Sequence, residues 1–287
     1  MTDIRVSPPK IFPQVARAPK PPADAGGSAD AYRQTAFVLG ADVDLVLRGL
    51  ELEAAIAEAS SDAKHRTQTM VAALGLWSRA WLSRQQALQA VQWGNYAAAI
   101  PLVRAAADYQ ASGLYVLRDG GQEWQQWLDE GGISLAPDEH AIEYRLHAFR
   151  AAEVLAAHDI LGPIYRVAMD LSMPHFGATL LIAGNASDPA RVAMTFGDRD
   201  FHLALAEICL GWTVMLSVAA LEAAVEFEGV FNVPDRAAID SFGRDGRAAI
   251  DRDDRAGIDT IEREGERRYL VANWRRRPGD AREKILL

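Results

Sequence analysis

The sequence predicts an all-α protein, a single helical bundle of about six to eight helices, with or without one short β-hairpin. Three observations support this fold class. Apolar residues recur at helical spacing through most of the chain, prolines crowd its first 30 residues, and charges of both signs interleave from Pro234 onward. We therefore divide the chain into an extended N-terminal lead (1–30), the bundle (31–233) and a charged C-terminal arm (234–287).

Helical periodicity and the usual start and stop residues define seven predicted helices. Their expected spans are 42–60, 62–92, 96–118, 122–130, 137–158, 160–172 and 199–228. In the second helix the apolar stripe consists of Met70, Leu74, Trp77, Trp81, Leu88 and Val91. Asp198 is expected to cap the last helix, and residues 178–197 are expected to form a hairpin or a long loop.

Composition and charge exclude several classes of protein. A single cysteine, Cys209, rules out an intramolecular disulfide, and the first residues lack the apolar segment of a secretory signal, so we expect a cytoplasmic protein. Residues 31–233 hold 13 basic and 24 acidic side chains, a balance that argues against binding to nucleic acid. The longest apolar run, Ile208 to Leu221, is too short for a membrane span of roughly 20 residues, so it predicts a core helix and no membrane partner.

The two terminal segments predict contacts with other chains. Dense prolines keep the lead out of helices and sheets, so it is expected to be disordered, or extended along a neighbour. The arm is mostly charged, but Tyr269, Leu270, Val271 and Trp274 form one apolar patch within it. We expect the arm to dock on another subunit and the protein to be a homo-oligomer.

Arg104 and Asp108 are the only charged residues between Gly94 and Leu117. Their spacing of four places both on one face of a helix, where an otherwise uncharged surface predicts partial burial. Two interpretations remain open. The pair either forms a polar ligand site around Arg104, or it is a structural ion pair that sets the register of the helix.

A second polar stretch runs from Tyr165 to His175. Pro174 ends a predicted helix and places His175 in a loop, where an imidazole can act as acid, base or hydrogen-bond donor. Ser172 is a candidate nucleophile, although no GxSxG elbow surrounds it. The alternative is a capping serine beside a hydrogen-bonded histidine.

Together these residues carry a resemblance. An Arg-x-x-x-acid helix (Arg104, Asp108) followed by Tyr165, Ser172 and His175 resembles an uncharacterised bacterial all-helical family near the abortive-infection and HEPN type of domain, over about residues 65–225. This sequence has an aspartate at 108 where that family is expected to have glutamate. The resemblance implies a helical bundle and a shared polar pocket. HEPN ribonucleases carry Arg-x4–6-His, and no such spacing occurs here.

A third set of residues has the chemistry of a metal site. His140, Glu143 and His147 fall on one face of a predicted helix, and two imidazoles with a carboxylate can ligate zinc or iron. The pattern matches neither HExxH nor the paired motif of di-iron bundles. Further ligands would have to come from other helices, from His158, His202 or Glu207.

Three functions therefore remain as hypotheses. The first is a self-associating helical binding or scaffold protein, because the sequence contains no complete catalytic motif. The second is a hydrolase or nuclease-like toxin that uses Arg104, Asp108 and His175, with Ser172 and Tyr165 as further candidates. The third is a metal-binding protein that uses the histidines of 140–147. No cofactor is predicted other than a divalent metal under the third hypothesis.

Overall fold

A computed structural model of the chain describes residues 6–130, 132–133, 142–143, 146–184, 187 and 190–287. Within these residues the protein is mostly helical, with ten α-helices, 60% helix and a small three-stranded antiparallel sheet near the C-terminus. The helices are α1 Gly27–Val38, α2 Gly40–Ala59, α3 Gln68–Gln92, α4 Tyr96–Arg118, α5 Gln122–Glu130, α6 Ala152–Ala157, α7 Leu161–Ser172, α8 Phe176–Ala183, α9 Leu203–Glu226 and α10 Arg236–Ile250. The strands are β1 Gly132–Ile133, β2 Ile142–Glu143, β3 Gly257–Arg263, β4 Glu266–Trp274 and β5 Glu283–Leu286, and a 3₁₀ turn lies at Ala63–His65.

Helices α3 and α4 make the most extensive helix-to-helix contact of the described chain. The hydroxyl of Thr67 caps α3 by accepting a hydrogen bond from the Met70 amide at 3.1 Å. The turn between the two helices depends on Gly94, whose φ is 70° and whose Cβ, if present, would lie 2.2 Å from the Arg199 carbonyl oxygen. Only glycine fits there. The bounds predicted for α4 are confirmed.

Helix α9 is the centre of the bundle, and α2, α3, α4 and α10 pack around it. It is apolar on nearly all sides because it has neighbours on nearly all sides. By length and composition α9 is the one described helix that could cross a membrane, yet 72% of its most apolar window is buried inside the protein. The predicted cap at Asp198 is wrong, since α9 begins later and its N-cap is His202, whose Nδ1 accepts from the Leu205 amide at 3.4 Å.

Two further predictions of secondary structure are wrong. The helix expected over 137–158 is wrong in the part of that span that the structure describes, where Ile142–Glu143 form β2, residues 146–150 have no regular structure and α6 covers Ala152–Ala157. Most side chains of 146–150 are exposed, so little packing would stabilise a helix there. The hairpin or long loop expected over 178–197 is wrong for its first residues, which belong to α8 because Ala178 and Leu181 bury one helical face beside α7.

The charged arm folds back on the bundle of its own chain. It forms α10, which packs on α9 and α2, and the sheet in the order β3-β4-β5, whose strands the sequence did not reveal. The apolar patch expected to meet another subunit is largely buried within the chain, since Tyr269, Val271 and Trp274 all belong to the core. The tyrosine hydroxyl donates to Asp170 on α7. Docking on another subunit therefore stays a prediction, without this patch to support it.

The proline-rich lead has no helix or strand over residues 6–22, turns at 23–26, and contacts α3. Gln92 Oε1 accepts from the Ala18 amide at 3.0 Å in a buried contact, and Trp93 Nε1 donates to the Pro19 carbonyl at 3.0 Å. Arg17 also pairs with Asp44 on α2. The neighbour along which the lead extends is thus the bundle itself.

Candidate functional site

Arg104 and Asp108 lie one turn apart on α4, on the side that packs against α7. Both side chains are half-buried, and within the described residues neither makes a hydrogen bond or an ion pair. The Nε of Arg104 is buried and has no partner. An unsatisfied buried donor costs about 1–3 kcal/mol, so the Nε of Arg104 is a position where a ligand atom could supply the missing acceptor.

A groove of about 540 Å³ opens beside Asp108. Asp108 contributes from α4, Tyr165 and Arg166 from α7, and Glu153 from α6. The segment before α6 adds Phe149 and Arg150, and four small or apolar residues, Ala151, Ala152, Leu155 and Ala156, complete the lining. The groove therefore combines two aromatic rings with two guanidinium groups and two carboxylates.

Arg104 does not itself line this groove, but it contacts Tyr165, which does. Its guanidinium carbon lies 5.9 Å from the centroid of the tyrosine ring, which is within cation–π distance. Burial raises the pKa of Asp108 above its ordinary value, and the nearby Arg104 charge opposes that rise. The site thus offers fixed positive charge beside a carboxyl group that takes up a proton more readily than usual.

The other candidates on α7 and α8 do not join the groove. The Ser172 hydroxyl donates to the Ala168 carbonyl at 2.5 Å, the bond of a serine closing back on its own helix. His175 is exposed at the N-cap position of α8, and the residues that line the groove do not include it. Tyr165 is the one member of this stretch that contacts Arg104.

The predicted metal ligands lie at the edge of the described structure. His140 and the side chain of Glu143 fall outside the described residues, while His147 is exposed with its Nε2 3.6 Å from Glu123 Oε1. No group of three or more potential ligands comes together among the residues that are described. The proposed additional ligands are engaged elsewhere: His202 caps α9, His158 Nδ1 accepts from the Ile160 amide, and Glu207 pairs with Arg275.

No protein-family model, curated protein or solved structure matches this chain. The resemblance to abortive-infection and HEPN-type domains therefore stays a prediction.

Sequence reasoning missed the most deeply buried ion pair among the described residues. Arg84 on α3 is fully buried, and its NH1 and NH2 donate to Glu53 Oε1 and Oε2 on α2 at 2.6 and 2.5 Å. Ser217 on α9 accepts a third bond at 2.8 Å, and Trp77 Nε1 donates to Glu53 at 2.6 Å. The sequence did contain a sign of this burial. Arg84 lies between Trp81 and Leu88 at the spacing that continues the apolar stripe of α3, so its side chain falls on the buried face.

A second buried cluster ties the arm to the bundle. Arg255 pairs with Asp42 on α2 and donates from NH2 to the Glu207 carbonyl at 2.7 Å. The Glu207 carboxylate accepts from the Ala256 amide at 2.9 Å and from Arg275 at 3.0 Å. Every charge in this cluster has a partner, so its role is to hold the sheet against α9 and α2. Nothing in the sequence spacing reveals it, because its members lie on three separate segments.

Proposed function

We propose that the protein is a helical binding protein whose groove between α4, α6 and α7 takes a small aromatic anion. The observation that carries this proposal is the unpaired, half-buried Arg104 beside an equally unpaired Asp108. Guanidinium groups are the side chains best suited to carboxylate and phosphate oxygens, and such charged hydrogen bonds are the strong ones. Phe149 and Tyr165 line the groove and give it aromatic surface for a planar ligand.

Asp108 gives this site a second kind of contact. When it is protonated, the Asp108 carboxyl group can donate a hydrogen bond to an oxygen of the same ligand, and burial raises its pKa in that direction. A ligand with a carboxylate and a further acceptor would then satisfy both Arg104 and Asp108. This proposal includes the cytoplasmic location and the self-association expected from the sequence, neither of which the groove itself requires.

Binding of 4-fluorobenzoate, followed by ¹⁹F NMR, tests the proposal. We expect saturable binding that Arg104→Gln weakens by about tenfold, which corresponds to roughly 1.4 kcal/mol. Arg79→Gln is the matched control, because Arg79 also lies over a tyrosine ring, 4.0 Å from the centroid of Tyr109, but at an exposed position away from the groove. Equal affinity in the two variants, or no saturable binding in the wild type, would overturn the proposal.

The hydrolase hypothesis is not favoured by a specific contact. It needs Arg104, Asp108 and His175 around one cavity, and of these three only Asp108 lines the groove. Loss of 4-fluorobenzoate binding in His175→Ala would bring that histidine back into the site.

A further inference from the structure

A second groove, of about 570 Å³, lies between α2 and α3 on the face beneath the N-terminal lead. We call residues Ser7–Pro13, which cross over it, the strap. The walls beneath the strap are apolar and consist mainly of Ala54, Ala57, Val71, Leu74, Trp77 and Trp81. The volume falls within the range of roughly 300–1,000 Å³ that is typical of small-molecule sites.

The two tryptophans present no unsatisfied polar atom to this groove. Trp77 Nε1 donates to Glu53 at 2.6 Å, and Trp81 Nε1 donates to the Leu50 carbonyl at 3.0 Å. Glu53 lines the groove, but its charge is neutralised from behind by Arg84. The indole rings therefore contribute apolar surface, and water inside the groove finds few partners.

Gly75 leaves open space in the wall formed by α3. A Cβ at this position would meet no atom within 4 Å, although Gly75 lies inside a helix of 25 residues. Glycine in a helix interior is less favourable than alanine by about 1 kcal/mol. Gly75 thus lowers helix propensity at a position where no packing within the chain requires a small side chain. Its effect is to keep the groove wide.

Among the described residues, the hydrogen bonds that join the N-terminal lead to the bundle begin just after the strap. Within the described residues, Ser7–Pro13 make no hydrogen bond to the bundle, whereas Gln85 Nε2 donates to the Gln14 carbonyl at 2.5 Å and Ala18 is held at Gln92. Phe12 on the strap is 81% exposed. Because no hydrogen bond holds the strap, opening it costs mainly the apolar contacts of its partly buried residues Pro9 and Ile11.

Lys10 is the positively charged residue at this groove. It is exposed, it lines the groove from the strap, and among the described residues it has no ion-pair partner. Apart from the neutralised Glu53, it is the only charged residue in the lining. In a protein of net charge −9, a lone ammonium group beside an apolar groove favours a molecule with an anionic head and an apolar tail.

We propose that this groove binds a single-chain fatty acid, with its tail along Trp77 and Trp81, its carboxylate at Lys10 and the strap closed over the chain. Each methylene group that leaves water contributes about 0.8 kcal/mol, so affinity should rise with chain length until the groove is full. The site is separate from the Arg104 groove, and neither proposal depends on the other.

The test is displacement of the fluorescent fatty acid cis-parinaric acid by palmitate from the full chain. Gly75→Leu adds a branched side chain to the groove wall at a position where a Cβ meets no atom within 4 Å, and we expect it to weaken binding by at least about tenfold. Gly40→Leu is the matched control, because a Cβ at Gly40 also meets nothing within 4 Å but lies at the start of α2, away from the groove. Equal binding by the two variants would overturn the proposal. If Gly75→Leu does not fold, Ala57→Leu provides the same test, because it narrows the groove from the side of α2 and should also weaken binding.

The position of the head group has its own test. Lys10→Glu should weaken palmitate several-fold and leave the uncharged hexadecanol unchanged. Identical palmitate affinity in wild type and Lys10→Glu would contradict the placement of the carboxylate. Stronger binding to phosphatidylcholine vesicles than to monomeric palmitate would contradict a single-chain ligand. Arg104→Gln should leave palmitate binding intact, so the two proposals fail separately.

Discussion

Glu53 and Arg84 form a two-pronged ion pair in the middle of the bundle, with donor-to-acceptor distances of 2.6 and 2.5 Å and 1% or less of either side chain exposed. The pair joins α2 to α3, and through Ser217 it also joins both helices to α9. Removing two charges from water is expensive, and only full pairing with good geometry compensates for it. The pair therefore specifies how three helices meet more than it adds to stability.

Arg84→Met should lower the free energy of unfolding by about 3–5 kcal/mol, because Glu53 would remain buried without its partner. The double variant Glu53→Leu/Arg84→Met should be destabilised by several kcal/mol less than the sum of the single variants. Chemical denaturation followed by circular dichroism measures all three. Arg247→Met removes an exposed pair with Glu222 and should cost less than about 1 kcal/mol. If the losses of stability in the two single variants simply added up in the double variant, Glu53 and Arg84 would not be coupled.

His202 should make the protein sensitive to acid. Burial, with Arg276 nearby, lowers its pKa from 6.5 to about 3, and its Nε2 has no partner among the described residues. Between these two values the unfolded chain binds the proton and the folded chain does not. The free energy of unfolding should therefore fall as the pH drops from 6.5 towards 3, by up to about 1.4 kcal/mol per pH unit from this group.

The variant His202→Asn isolates this contribution. Asparagine can still accept from the Leu205 amide as an N-cap residue, but it does not titrate. We expect a shallower loss of stability in urea denaturation between pH 7 and pH 5, although loss of the ring contact with Trp274, at 4.3 Å, lowers stability at pH 7. His175→Asn, at an exposed position, should leave the slope unchanged. An unaltered slope in His202→Asn would assign the acid sensitivity to other groups.

Asp108 should make the free energy of unfolding depend on pH in the opposite direction. Its pKa is raised above the ordinary 3.8, so the folded chain binds the proton more tightly and stability falls as the pH rises through the folded pKa. Asp108→Asn should therefore stabilise the free protein at pH 7, by less than about 1 kcal/mol because the side chain is half-exposed, and the gain should vanish near pH 3. Thermal unfolding at both pH values measures this. Destabilisation at pH 7 would show that Asp108 has a structural partner.

The arm should be essential to the stability of the bundle. Arg255→Ala removes the buried partner of Asp42 and should cost about 3–5 kcal/mol. Arg252→Ala, three residues earlier, removes an exposed contact with Asp254 at 3.9 Å and should cost at most a few tenths of a kcal/mol. Guanidinium denaturation compares the two variants. Similar midpoints would mean that the sheet is held by apolar contacts alone.

Local patterns in the sequence predicted much of the helical structure. The bounds of α4, the C-terminal end of α3 and the burial of α9 follow from apolar spacing, from Gly94 and from the length of the apolar run, all of which act over a few residues. The position of Arg104 and Asp108 on one face of α4 is of the same kind, because the helical repeat alone decides it. These features hold whatever the rest of the chain does.

The contacts between distant segments were decided by tertiary structure alone. The strands β3 and β4 are heavily charged, and they pair because Val271 and Trp274 bury against the bundle while the charged residues face water. Tyr165 contacts Arg104 only because α7 packs against α4. Lys10 and Trp81 line the same groove only because the N-terminal lead packs over α3. Periodicity determines which face of a helix is apolar. Which helices then pack against each other through those faces depends on the free energy of the whole packed core, and no local pattern contains that information.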